Sequence, residues 1–155
     1  MENLWGEIDF SEFEIANSPK QILEQQSQYL EEFTKGNLYC IVEEDELENL
    51  QPVLDESDET FFYYSFFLKS RKLKNYRYKI LCFEHDITIY PLTIILDSLI
   101  LKEIKNKIEF SIKDKVIANE LVIVNNEDEF KKVLKLTFNS HRMKNILESI
   151  IILSR

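Results

Sequence analysis

Residues 60–68 read Thr-Phe-Phe-Tyr-Tyr-Ser-Phe-Phe-Leu, and this stretch decides the fold. Aromatic and β-branched side chains favour pleated backbone. Apolar and polar residues do not alternate here, so both faces of the strand carry apolar or aromatic groups. Such a strand belongs inside a sheet, with at least one face covered. Leu38–Val42 and Tyr76–Phe83 read as further strands, the second with Tyr76, Tyr78, Ile80 and Cys82 on one face. Glu84-His85-Asp86 is expected to turn the chain into Ile87–Asp97, which Pro91 breaks or bulges. Ile100–Ile104 and Ile108–Ile112 read as strands paired across Lys105-Asn106-Lys107, and Leu121–Val124 as one more.

Helices flank this run. Ser18 at the N-cap, Pro19 at the first helical position and Gln21 three residues after the cap predict a helix over residues 19–35. Gly36 ends it at C′. Ile22, Leu23, Tyr29, Leu30 and Phe33 line one face. Asn126 and Glu129 repeat the cap spacing ahead of Phe130, Val133, Leu134 and Phe138. Ser140 caps a last helix carrying Met143, Ile146, Leu147, Ile150 and Ile151. The fold class is therefore α+β, with a mainly antiparallel sheet of about five or six strands. The N-terminal helix and the two C-terminal helices pack on one face of it. Residues 1–17 are an extended lead-in, with Ile8 and Phe10 in a short strand or pinned to the core.

Chain length favours a single domain over residues 1–155. Hydrophobic residues make up 45% of it, including 11 Phe and 7 Tyr, against 2 Gly and 3 Pro, which is enough apolar material to offset ordering entropy. The N-terminus lacks a signal-peptide pattern, and the run Ile87–Leu101 is too short and too charged to span a bilayer. Cys40 and Cys82 sit in apolar segments without CxxC spacing, as buried reduced thiols do. These features suggest the cytoplasm and no membrane association.

The formal charge of −9 is localised. Residues 43–59 hold nine acids (Glu43, Glu44, Asp45, Glu46, Glu48, Asp55, Glu56, Asp58 and Glu59) and no base, which leaves 19 acids against 19 bases elsewhere. This acidic stretch reads as a solvated loop, as a docking surface for a basic partner, or as a weak cation site without the glycine of an EF-hand. Lys69–Lys79 is the opposite block, with six bases and no acid. Its tyrosines suit base stacking, but the net charge opposes a phosphate backbone, so nucleic acid is not an expected partner.

Motifs for chemistry are sparse. No phosphate-cradling glycine loop, HExxH or GxSxG is present. Glu84-His85-Asp86 is the most enzyme-like triplet, yet consecutive strand residues point to opposite faces. His141 falls in the first turn of the last helix as a surface residue. No catalytic residue, metal ligand or cofactor is assigned.

Three pieces together, Ser18-Pro19-Lys20-Gln21-Ile22-Leu23-Glu24-Gln25-Gln26, Asn75-Tyr76-Arg77-Tyr78 and His85-Asp86-Ile87-Thr88-Ile89-Tyr90-Pro91, resemble a group of small, acidic, uncharacterised bacterial proteins. The resemblance covers about residues 15–150 and implies no activity. The expected function is non-catalytic: stoichiometric binding of a basic partner, such as a toxin nuclease, by an immunity, antitoxin or defence-associated protein. The nine acids would form the partner-binding site. Two alternatives stay open: a small metal-dependent hydrolase using His85, Asp86 and a distant carboxylate, and a homodimeric module joined through Thr60–Leu68 at a sheet edge.

Overall fold

The structure is a computed structural model, and it describes residues 1–14, 16–45, 61–108, 116–117 and 121–155. Its six strands are β1 (Leu38–Asp45), β2 (Phe62–Ser70), β3 (Arg77–His85), β4 (Leu92–Leu96), β5 (Val116–Ile117) and β6 (Leu121–Val124). They form one sheet in the order β1-β2-β3-β4-β6-β5, and every neighbouring pair is antiparallel. The helices are α1 (Pro19–Phe33), α2 (Ser98–Ile104), α3 (Glu127–Phe138) and α4 (His141–Leu153). The α+β class, with α1, α3 and α4 on one face of an antiparallel sheet, is the architecture observed.

The aromatic strand β2 lies inside the sheet, bonded to β1 on one side and β3 on the other. That position closes the sheet-edge route to a dimer through this strand. Register divides the strands into two faces. Leu38, Cys40 and Val42 of β1 stand with Tyr64, Phe66 and Leu68 of β2 and with Leu92, Ile94, Val122 and Val124 beyond β3. The helices cover this face with Ile22, Leu23, Ile100, Leu101, Phe130, Val133, Met143 and Ile150. Phe66 meets the Phe138 ring at 6.1 Å, and Phe83 meets Phe130 at 6.2 Å.

A bulge corrects the expected facing of β3. Phe66 pairs with Leu81 but Phe67 pairs with Lys79, so Ile80 is an extra residue. The bulge lets both Ile80 and Leu81 enter the core, each 1% exposed. Beyond it Phe83 and His85 stand on the helix-covered face, while Cys82 and Glu84 turn to the other. Cys82 therefore does not share a face with Ile80, because strict alternation fails at the inserted residue.

Three further expectations change. Ile100–Ile104 is part of α2, not a strand. Asp97 caps that helix by accepting from the Leu99 N–H at 2.8 Å, and Ile100, Leu101 and Ile104 recur at helical spacing on its buried side. Most of Ile108–Ile112 lies outside the described residues. The lead-in is neither strand nor pinned: residues 10–14 form a 3-10 helix, and Ile8, Phe10 and Phe13 are exposed. Within Ile87–Asp97 only Leu92–Leu96 pairs as a strand.

The α1 ends follow capping rules. Ser18 and Gln21 exchange hydrogen bonds in a capping box. At the other end Lys35, with φ 52°, takes the left-handed C′ position, and Gly36 follows at C″ with φ 84°. The Gly36 N–H reaches the Glu31 carbonyl at 2.8 Å and the Lys35 N–H reaches that of Glu32 at 3.3 Å, which completes a Schellman motif.

α1 also holds the outer side of β1. Ser27 Oγ donates to the Cys40 carbonyl at 2.7 Å and accepts from the Cys40 N–H at 2.8 Å. Thr34 Oγ1 accepts from the Leu38 N–H at 2.9 Å. Each hydroxyl satisfies backbone groups that no strand pairs. Replacing Ser27 with Ala leaves both Cys40 groups unmet and should cost about 1–2 kcal/mol. Phe66→Ala should cost about 3–5 kcal/mol by opening a cavity in the core. Urea denaturation of the two variants checks both values and their order.

Candidate functional site

The face of β1, β2 and β3 opposite the helices brings together three of the described acids, one of them from outside the acidic stretch. Glu43 and Asp45 stand on it from β1, Tyr63, Ser65 and Phe67 from β2, and Cys82 and Glu84 from β3. Register places Asp45 opposite Tyr63, Tyr63 opposite Glu84, and Glu43 opposite Ser65. Three carboxylates thus share one end of one face.

These acids are held to different degrees. Glu43 Oε2 lies 3.0 Å from Arg77 Nη2, in a pair exposed on both sides. Solvent screening limits such a pair to about 0–1 kcal/mol. Arg77 also lies 3.5 Å above the Phe67 ring centroid, which turns a charge from the basic block onto this face. Asp45 accepts from the Ser65 hydroxyl at 2.6 Å. Glu84 is half-buried, and desolvation pushes its carboxyl above the ordinary range. Glu44 is exposed and stands on the helix-covered side opposite Tyr64. Glu46, Glu48, Asp55, Glu56, Asp58 and Glu59 lie outside the described residues.

The Glu84-His85-Asp86 triplet does not converge. Glu84 faces away from the helices, and His85 stacks in an aromatic ladder with Phe62 at 5.5 Å and Tyr64 at 5.9 Å. His85 Nδ1 lies 2.7 Å from the Asp86 carbonyl oxygen. Asp86 closes its own turn by accepting from the Thr88 N–H at 2.8 Å and from the Thr88 hydroxyl. His141 is exposed in the first turn of α4, where its N–H donates to Glu103 at 2.6 Å.

A cluster that sequence reasoning missed joins Tyr78, Asp97 and Arg142. The Tyr78 hydroxyl donates to Asp97 at 2.5 Å, and Arg142 Nε lies 3.8 Å from the same carboxylate. Burial, with the Asp97 contact second, pushes the Tyr78 phenol well up from its ordinary value. Asp97 meanwhile caps α2. The cluster therefore fastens β3, α2 and α4 together. Desolvation pushes the Cys40 thiol up to about 12 and raises that of Cys82 as well, which disfavours the thiolate form at both. Among the described residues no group of three His, Cys, Asp or Glu is placed to hold a metal ion, and no helix is long and apolar enough to cross a membrane.

Comparison with protein-family models, with curated proteins and with solved structures finds no match to this chain.

The Glu84 environment has a pH consequence. Its folded pKa lies above the ordinary 4.5, so the native state keeps this proton to higher pH than the unfolded chain does. The contribution to stability is full below that ordinary value and is lost as pH rises through the folded value. Glu84→Gln removes the loss. Urea denaturation at about pH 4 and about pH 7 should show the variant gaining on the parent chain as pH rises. An equal difference at both pH values would refute the assignment.

Proposed function

We propose that this chain is a non-catalytic protein-binding module that takes a basic partner on the helix-free face of its sheet. The observation carrying this reading is the grouping of Glu43, Asp45 and Glu84 on adjacent strands around Tyr63, Ser65 and Phe67. Of the three, Ser65 and Phe67 are buried and Tyr63 is half-buried, so Tyr63 is the aromatic surface that the carboxylates frame, and an aromatic group framed by charge is common at protein interfaces. The acids of residues 46–59 follow β1 directly in sequence and add to the negative charge of the chain. Such a field speeds encounter with a cationic surface and discriminates against anionic ones.

The class this suits best is an immunity protein, antitoxin or defence-associated protein of a bacterial cytoplasm. Its partner would be a basic protein such as a toxin nuclease. Inhibition of that kind needs only a stoichiometric complex. Glu43 is already balanced in part by Arg77, which makes Asp45 and Glu84 the more decisive contacts.

Affinity capture from the native cell, with and without the double variant Asp45→Lys and Glu84→Lys, tests the reading. The captured basic protein should bind the variant about tenfold or more weakly, which is about 1.4 kcal/mol. Its salt dependence should also flatten. A variant that binds equally well with the same salt dependence would exclude this face as the docking site.

A further inference from the structure

Residues 1–14 are apolar where they should be hidden and acidic where they are not. Leu4, Trp5, Ile8, Phe10 and Phe13 are between 42% and 85% exposed. The Phe10 and Phe13 rings pack edge-on against each other at 5.5 Å and belong to no part of the core. The same segment holds five acids, Glu2, Glu7, Asp9, Glu12 and Glu14, and no Lys or Arg. Large aromatic side chains left in water this way mark a surface that is covered in the working state.

The complementary surface is on the same molecule. A groove of about 560 Å³ lies where the end of α1, the β2–β3 connection and the end of α4 meet. Phe33 and Ile151 give it apolar walls, and Phe33 is 84% exposed. Lys35, Arg71, Lys72 and Arg155 line it, with no acid among its lining residues. Its rim is preorganised: Arg71 pairs with Glu31 at 2.7 Å and donates to the Gly36 carbonyl at 2.7 Å. Lys35, Lys72 and Arg155 are exposed.

The arm does not occupy this groove in its own chain. No residue of the arm lines the groove: the arm precedes α1, and the groove sits at the far end of that helix, whose 15 residues span about 22 Å. We propose that residues 4–13 of one copy dock in this groove of a second copy, and that two copies exchange arms reciprocally. Trp5, Phe10 and Phe13 cover Phe33 and Ile151, while Glu7, Asp9 and Glu12 meet Lys35, Lys72 and Arg155. A two-fold exchange closes the assembly at two chains. None of Glu43, Asp45 and Glu84 lines the groove, so this inference stands apart from the function proposed above.

Light scattering on the full chain over a range of concentrations reads the assembly directly. The mass should rise from 18.6 kDa to twice that value, and high salt should shift it back toward single chains. Trp5 is the only tryptophan, so acrylamide quenching of its fluorescence should fall several-fold over the same range. The arm variant Phe10→Ala with Phe13→Ala, and the groove variant Lys35→Glu with Lys72→Glu, should each stay single. Mixing them should restore pairing, because the groove variant's intact arm meets the arm variant's intact groove. Single chains at every concentration would overturn the proposal, whether Trp5 is shielded by its own groove or open to quencher. A dimer that persists in both variants would overturn it too, by placing the interface elsewhere.

Discussion

One inserted residue in β3 governs what each side of the sheet presents. The side-chain period of a strand is two, so a single extra residue exchanges the faces of everything after it. Ile80 is that residue, opposite the step from Phe66 to Phe67. Before it Lys79 and Arg77 lie toward the Phe67 ring, and after it Phe83 joins the core and half-buried His85 the same face, while Cys82 and Glu84 turn to the other. Without the insertion, Glu84 would be driven beneath the helices, where an unpaired carboxylate is costly to bury. With it, the core gains Phe83, and the opposite face gains the third of its carboxylates.

The helix-covered side shows why this arrangement is stable. Tyr64, Phe83 and His85 form a stack that continues into Phe130 of α3. A histidine placed there contributes ring area, and Asp86 is spent on holding its own turn. Tyr78, Asp97 and Arg142 do for the other end of the core what the aromatic ladder does here. Polar groups that looked chemical in isolation serve as joints between elements.

Much of this was legible in the residues. The capping signals at Ser18, Asn126 and Ser140 each start a helix where expected, and each side chain accepts the backbone N–H three residues on. The interior place of β2 follows from a strand with no polar face. Asp97 carried the same kind of signal, but the isoleucines after it favour strands intrinsically, and tertiary packing overrode that preference. The facing of Cys82 and Glu84 was hidden for a different reason. A bulge is set by pairing across the sheet, and no local pattern in Tyr76–Phe83 announces it. Of the expected acidic site, Glu43 and Asp45 fall on the open face, whereas Glu84 was legible only as a turn residue.

The two hydroxyls that α1 lays along β1 have a consequence for how the molecule behaves in a crowd. An outermost strand is an open template, and an unguarded one recruits like strands end over end into fibres. Ser27 and Thr34 occupy the Cys40 and Leu38 positions of that template with groups too short to be extended by another backbone. An arriving strand would have to peel α1 away first, and with it Ile22 and Leu23 from the core. The helix therefore guards against runaway polymerisation of a chain unusually rich in sticky aromatic sequence.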